Sequence, residues 1–176
     1  MLCRLLFLLL SIDICVAQSP GHAMVSKERE VKPIFPYNID LRDKDGKMIN
    51  SSKLFKKSKE PVVLLFWLTT CGPCKLELKT ISEKFTSWQK QKKFSLYAIS
   101  TDFPEREQQF VSRVKESNWP FMAYYDFRRE FSKVMPGELN GLPQVFVIDN
   151  NGKIVYHHRK FIPGDEEALF EAIKKI

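Results

Sequence analysis

The chain has 176 residues, of which 44% are hydrophobic and 12% aromatic, and its formal net charge is +7. This length and composition indicate one globular domain with a substantial core and call for no second domain. The lysines are interleaved with acidic and polar residues, which favours solvated helix faces over a patch for nucleic acid or anionic lipid.

The first 17 residues have the pattern of a secretory signal peptide. Arg4 precedes an apolar run over residues 5–10, and small residues end at Ala17. We predict cleavage after Ala17, a polar linker over 18–32 and a folded domain over 33–176. The apolar run is too short to span a bilayer comfortably. We therefore expect an exported, periplasmic protein without a nucleic-acid partner; a secreted protein and an uncleaved, membrane-tethered protein are the alternatives.

The domain is predicted to begin with a two-stranded ribbon. Apolar segments at 39–41 and 47–49 flank residues 43–46, which end in the hairpin turn signal Asp-Gly. Ser51 and Ser52 are candidates to cap a short helix that runs to Lys57.

An unbroken apolar run that leads to a cysteine pair dominates the sequence. Residues 61–67 are strand-like, and after Pro73 the apolar residues take helical spacing, which predicts a buried strand followed by a helix over roughly 72–91. Cys71 then lies at the helix N-terminus, where unpaired backbone N–H groups and the helix dipole favour a thiolate over a thiol.

A second strand over 94–100 completes a βαβ unit, whose two strands should be parallel. The cysteines would then lie at the carboxyl end of the first strand, where open α/β sheets place their ligand sites.

Cys71 and Cys74 are three residues apart, so both sulfurs lie on one face of the first helical turn and can close a small disulfide. Removal of the signal peptide would also remove Cys3 and Cys15. A crosslink between near neighbours constrains little chain entropy, which favours a redox role over a structural one. Half of a zinc site is the other interpretation, but the sequence has no second CxxC motif to supply four ligands.

The remainder of the chain continues the alternation of helices and strands. We predict a helix over 104–118, a short strand within 119–126, a helical turn over 128–134 and a hairpin at Asn151-Gly152. Core packing is preferred over a substrate-facing surface for Trp119, Tyr124 and Tyr125. Asp165 is a candidate cap for a C-terminal helix. The expected buried face of that helix consists of Ala168, Leu169, Ala172, Ile173 and Ile176.

The stretch from Phe66-Trp67 to Cys71-Gly72-Pro73-Cys74 resembles the thioredoxin superfamily, and Cys74-x-x-Glu77 resembles its exported TlpA/ResA-like branch. The resemblance covers 33–176 and departs at Thr70, where members commonly carry a second tryptophan. It implies the α/β thioredoxin fold, a mixed central sheet flanked by helices, with an N-terminal β-hairpin and a central β-α insert.

The resemblance also implies roles for residues outside the cysteine pair. Glu77 would take the proton of Cys74, because Leu65 occupies the position of the buried aspartate in plain thioredoxins. Pro143 would form a cis bond that exposes the Leu142 backbone to substrate. Independently of the resemblance, Trp67 is expected in the core, near the sulfurs. The alternatives are an exposed helix-stabilising Glu77 and an ordinary edge-strand proline. His157 and His158 are adjacent, so they should project to opposite faces of a strand.

We therefore expect a monomeric, exported thiol-disulfide oxidoreductase that exchanges disulfides with protein substrates through Cys71 and Cys74, as a reductant supplied by an upstream electron donor. No metal or cofactor is expected. The alternatives are a thiol peroxidase, a copper-binding assembly module and a noncatalytic adaptor with a structural disulfide. Peroxidatic members carry threonine where this chain has Leu68, and the copper-binding members use a three-residue spacer between the cysteines.

Overall fold

The computed structural model describes residues 35–55 and 60–176. The predicted signal peptide (1–17) and linker (18–32) lie outside these residues. Within them the strands are β1 (Asp40–Arg42), β2 (Met48–Asn50), β3 (Val62–Trp67), β4 (Ser95–Ser100), β5 (Met122–Tyr125), β6 (Gln144–Ile148) and β7 (Ile154–Arg159). The helices are α1 (Ser51–Leu54), α2 (Gly72–Gln91), α3 (Glu107–Ser117), α4 (Phe131–Val134) and α5 (Asp165–Lys174), with 3₁₀ turns at Pro104–Arg106 and Pro136–Leu139.

The strands of the described residues form one mixed sheet in the order β2-β1-β5-β4-β3-β6-β7. Strand β3 lies between β4, to which it is parallel, and β6, to which it is antiparallel. The predicted βαβ unit of β3, α2 and β4 is confirmed, with boundaries within one residue of the expected ones. The fold is the predicted α/β thioredoxin fold, a mixed sheet with helices on both faces.

Alternate residues of β3 enter two hydrophobic clusters, one on each face of the sheet. Val63, Leu65 and Trp67 pack with residues of α2, α3 and α5, whereas Leu64 and Phe66 pack with aromatic residues that include Phe131 of α4 and with the N-terminal ribbon. All six residues of β3 are buried. Burial on both faces explains why this strand is a continuous apolar run instead of an alternating one.

Both predicted hairpins are present, and an aspartate organises each turn. Strands β1 and β2 are antiparallel around Gly46, and β6 and β7 are antiparallel around Gly152. Both glycines have a positive φ, +80° and +83°, the backbone region that these turns require. The Asp43 carboxylate accepts two backbone N–H bonds in the first turn, and Asp149 does the same in the second.

The cap predicted for the first short helix was wrong. Asn50 caps α1, because its side-chain oxygen accepts the N–H of Ser52 at 3.0 Å. Ser51 is buried inside the helix, and its hydroxyl donates to the carbonyl of Tyr37 and accepts the N–H of Ile39. A hydroxyl that ties the helix to the preceding chain in this way cannot serve as the cap.

The C-terminal helix also differs from the prediction at its start and on its buried face. Helix α5 follows Gly164, so Asp165 is its first residue and its carboxylate accepts the N–H of Ile162. Ala168 is exposed. The buried position belongs instead to Phe170, whose ring stacks on that of Trp88 in α2 at a centroid distance of 4.7 Å. Burial of the larger Phe170 side chain stabilises the fold more than burial of Ala168 would, so the face that carries Phe170 is the one that α5 turns towards the core.

The segment from the end of β4 through β5 has the predicted helix and the predicted core aromatics. A 3₁₀ turn precedes α3, and Asn118, which has the left-handed φ of 44°, caps the C-terminus of α3. Tyr124 and Tyr125 are buried, and Trp119 packs edge-on against Trp67 at a centroid distance of 5.3 Å. No helix within residues 35–55 and 60–176 has the length and apolar character needed to cross a membrane.

Candidate active site

The cysteine pair lies where β3 passes into α2. Cys71 is the N-cap residue of this 20-residue helix, and its Sγ accepts the backbone N–H of Cys74 at 3.1 Å. The two sulfurs form a disulfide, with the Cα atoms 5.2 Å apart. Cys71 is partly exposed, whereas Cys74 has no exposed surface. An incoming disulfide can therefore reach Cys71 and not Cys74.

Glu77 lies one helical turn after Cys74 and is also fully buried. Its Oε1 is 2.8 Å from Nε2 of His158, and its Oε2 has no hydrogen-bond partner among the described residues. Burial raises the pKa of the Glu77 carboxyl, and the hydrogen bond with His158 partly opposes that rise. The burial rules out the alternative of an exposed, helix-stabilising glutamate.

His158 was not predicted to be part of the site. It lies on β7, and its Nδ1 is 3.1 Å from the hydroxyl of Tyr156 on the same strand. His157 points to the opposite face, where its Nε2 meets Oε1 of Gln144 at 3.0 Å, so the expected divergence of the two histidines is confirmed. The alternation of β7 indicated that one histidine faces the domain, but the sequence did not indicate that it meets Glu77.

The Leu142–Pro143 bond is cis, as the resemblance implies. Phe66 pairs with Gln144 in the antiparallel register of β3 and β6, so Pro143 lies beside the end of β3 that leads to Cys71. The Leu142 N–H and C=O have no hydrogen-bond partner in the described part of the chain. A free backbone edge is thus present next to the cysteine pair.

A second interaction that the sequence analysis missed holds the turn before Cys71. The buried carboxylate of Asp102 accepts the Thr69 N–H and the Thr69 hydroxyl, both at 2.9 Å, and the Ser100 hydroxyl at 2.7 Å. Trp67 pairs with Ser100 in the parallel register of β3 and β4, so Asp102 follows the end of the neighbouring strand. The sequence signal for this role was the position of Asp102 just after the carboxyl end of a predicted strand, where ligand sites of open α/β sheets lie.

A buried apolar cluster packs beneath the cysteine pair, and a polar groove lies beside it. Trp67 is fully buried in the cluster that also contains Cys74, and Cys71 and Leu142 pack against that cluster. A groove of about 340 Å³ lies between the turn and α3. Its lining includes Thr69, Thr70, Arg106, Gln109, Ser112 and Arg113.

Comparison with known proteins connects this geometry with a family. The model of the AhpC/TSA family matches residues 34–157. The chain belongs to the AhpC/TSA family. It is 30% identical to the thiol-disulfide oxidoreductase ResA of Bacillus cereus, in an alignment that covers 98% of this chain and 96% of ResA. It is 24% identical to the thiol:disulfide interchange protein DsbE of Escherichia coli, over 72% of this chain and 63% of DsbE.

A solved structure is similar over the same region. The solution structure of a thioredoxin-like protein from Porphyromonas gingivalis has a TM-score of 0.67 and 29% identity, and it covers 79% of this chain and 89% of its own. The family, the fold and the named activity of these relatives are all consistent with a redox-active cysteine pair at a helix N-terminus. The chain is a thioredoxin-like thiol-disulfide oxidoreductase.

Proposed function

We propose that this protein is exported and uses Cys71 and Cys74 to reduce disulfides of other proteins. One observation carries the proposal: the partly exposed Cys71 caps a long helix, and its disulfide partner Cys74 is fully buried. This arrangement supports a division of labour between an attacking and a resolving cysteine.

Attack on the client begins from the thiolate of Cys71. The N–H of Cys74 and the positive end of the α2 dipole both stabilise negative charge on its Sγ. Such settings lower the pKa of a cysteine from ~8.5 to between ~3.5 and ~7.5. The thiolate displaces one sulfur of the client disulfide, which leaves as a thiolate, and a mixed disulfide forms on Cys71.

Resolution needs Cys74 to lose its proton inside the domain. Glu77 is the nearby carboxylate on the same helix face, and one of its oxygens has no partner in the described structure. In the proposed step Glu77 takes the proton of Cys74, and the new thiolate attacks Sγ of Cys71. The Cys71–Cys74 disulfide forms, and the second client sulfur leaves as a thiolate.

Client binding is proposed at the unpaired Leu142 backbone. An extended client segment can add to this edge by strand pairing, which presents its disulfide to Cys71. The groove on the other side of the turn, with Thr70, Arg106 and Arg113 in its lining, would accept the rest of the segment. Main-chain recognition of this kind suits an enzyme with several clients.

Two parts of the proposal, export and the direction of electron transfer towards the client, rest on sequence features. Residues 1–17 have the features of a cleavable signal, and the Gly-Pro pair between the cysteines resembles that of reducing members. A reductant returns to the dithiol after each turnover only if an upstream donor supplies two electrons. Export would be checked by the mass of the protein recovered from outside the cytoplasm, which should lack residues 1–17; retention of the full mass would contradict cleavage.

The redox proposal is tested by the reduction of insulin with dithiothreitol as the electron source. The mature protein should accelerate the reaction, and Cys71→Ser should abolish the acceleration. The matched variant Cys74→Ser should retain the attack and hold insulin as a mixed disulfide on Cys71. Unchanged turnover in Cys71→Ser would remove this residue from the mechanism. Faster consumption of hydrogen peroxide than of insulin disulfide would favour the thiol peroxidase instead.

A further inference from the structure

A chain of polar contacts leads from the buried carboxyl of the site towards the surface. Oε1 of Glu77 is 2.8 Å from Nε2 of His158, and Nδ1 of the same ring is 3.1 Å from the Tyr156 hydroxyl. Glu77 has no exposed surface, the His158 side chain is 14% exposed, and Tyr156 is half-buried. The contact joins residues 81 positions apart, on α2 and β7.

The other groups that face Glu77 are acids or thiols. Asp165 and Glu166 of α5 act on the Glu77 carboxyl through their charges, and both raise its pKa. Cys74 precedes it by one turn of α2, in the same buried part of the domain. Tyr156 stands behind His158 on β7, and burial raises the pKa of its phenol. Of these groups only His158 is hydrogen-bonded to the Glu77 carboxyl among the described residues, so it is the one placed to receive a proton from Glu77.

We propose that His158 is a positioning residue for disulfide exchange, which orients the Glu77 carboxyl and passes its proton between the buried site and solvent. The proposal rests on the proposed function. During resolution the Cys74 thiol gives its proton to Glu77, and the Cys74 thiolate attacks Sγ of Cys71 and expels the client thiolate. The cysteine pair is thereby oxidised by two electrons, and the client disulfide is reduced.

The proton on Glu77 must then leave a carboxyl that water does not reach. It passes from Oε1 to Nε2 of His158, whose side chain is 14% exposed, and the imidazolium then loses its Nδ1 proton towards solvent. The Tyr156 hydroxyl can either donate to Nδ1 or accept from it, so it stabilises the ring in both states. When an upstream donor reduces the disulfide again, a proton returns along the same contacts to the departing Cys74 thiolate.

A purely structural role predicts something different. If the contact only ties β7 to α2, any side chain that donates an N–H to Oε1 will replace His158. His158→Gln retains such a donor but cannot carry a proton, so this variant separates the two roles. His157→Gln is the matched control, since it removes a neighbouring histidine on the opposite face that meets Gln144 and not Glu77.

The experiment follows the release of glutathione when the reduced mature protein reacts with oxidised glutathione. Attack by Cys71 releases the first equivalent, and resolution by Cys74 releases the second. His158→Gln should leave the first phase unchanged and slow the second by at least about tenfold, and at most by the ~10²–10⁴-fold that positioned proton transfer contributes. The rate of its second phase should also rise at a higher pH than in the wild type, because glutamine lacks the positive charge of His158, which lowers the pKa of Glu77. His157→Gln should match the wild type in both phases.

The outcomes separate this inference from the proposed function. A wild type without a first phase would overturn thiol exchange itself. A normal first phase together with an unchanged rate and pH profile of the second phase in His158→Gln would overturn the relay alone, as would equal effects of the two glutamine variants.

Discussion

Removal of the Asp102 carboxylate should destabilise the domain and slow its thiol chemistry together. In Asp102→Ala the Thr69 N–H, the Thr69 hydroxyl and the Ser100 hydroxyl lose their shared acceptor. Hydrogen bonds to a charged group contribute about 1.5–3 kcal/mol each, but Thr69 is half-buried and water can replace part of the loss. Ser100 is fully buried, so water cannot replace the hydrogen bond that its hydroxyl loses. We expect a net cost of about 3–5 kcal/mol.

The magnitude is measurable as a change in melting temperature. For domains of this size each kcal/mol corresponds to about 2–4 °C, so the melting temperature should fall by roughly 6–20 °C. The functional effect follows because Thr69 belongs to the turn that positions Cys71, whose N–H donates to the carbonyl of Leu68 at 3.1 Å. With the turn released, insulin reduction should slow at temperatures where the variant is still folded.

A second buried aspartate provides the matched control. Asp126 accepts the N–H groups of Glu130 and Phe131, both at 2.9 Å, and contacts neither Thr69 nor Cys71. Asp126→Ala should lower the melting temperature to a similar degree and leave the rate of insulin reduction unchanged. The reasoning is refuted if Asp102→Ala reduces insulin at the wild-type rate, or if both variants slow the reaction equally.

Two further predictions concern stability. Burial raises the pKa of Glu77, so its contribution to stability is fully present below the unfolded pKa of ~4.3 and is lost as pH rises through the folded value. Glu77→Gln should therefore gain stability relative to the oxidised wild type between acid and neutral pH in urea unfolding; a constant difference across pH would contradict this. Trp88→Ala removes the stack on Phe170 between α2 and α5 and should cost about 3–5 kcal/mol. The alkylation rate of Cys71 should stay the same in that variant, and a large change would mean that the distant end of α2 influences the site.

Local patterns were sufficient to predict the elements that carry the cysteines. The apolar run of β3, the helical spacing after Pro73 and the two glycine hairpins each depend on neighbours in sequence, and the structure has all of them. The Cys71 position at a helix N-terminus followed directly from that pattern.

The missed residues act across long sequence separations. Asp102 reaches Thr69 over 33 residues, and His158 reaches Glu77 over 81. The first contact follows from the pairing of β3 with β4, and the second from the packing of α2 against β7. One sequence specifies neither. The wrong cap at Ser51 has a different cause. The Ser51 hydroxyl donates to the carbonyl of Tyr37 in the preceding chain, and the Asn50 side chain accepts the Ser52 N–H at the helix start.

The central claim is that the N-terminus of α2 makes Cys71 a thiolate at neutral pH. The most direct measurement is the rate of Cys71 alkylation by iodoacetamide as a function of pH, in mature Cys74→Ser, where Cys71 is the one remaining thiol. The account predicts an inflection well below the ~8.5 of free cysteine and fast alkylation at neutral pH. An inflection at or above that value, with slow alkylation at neutral pH, would contradict it.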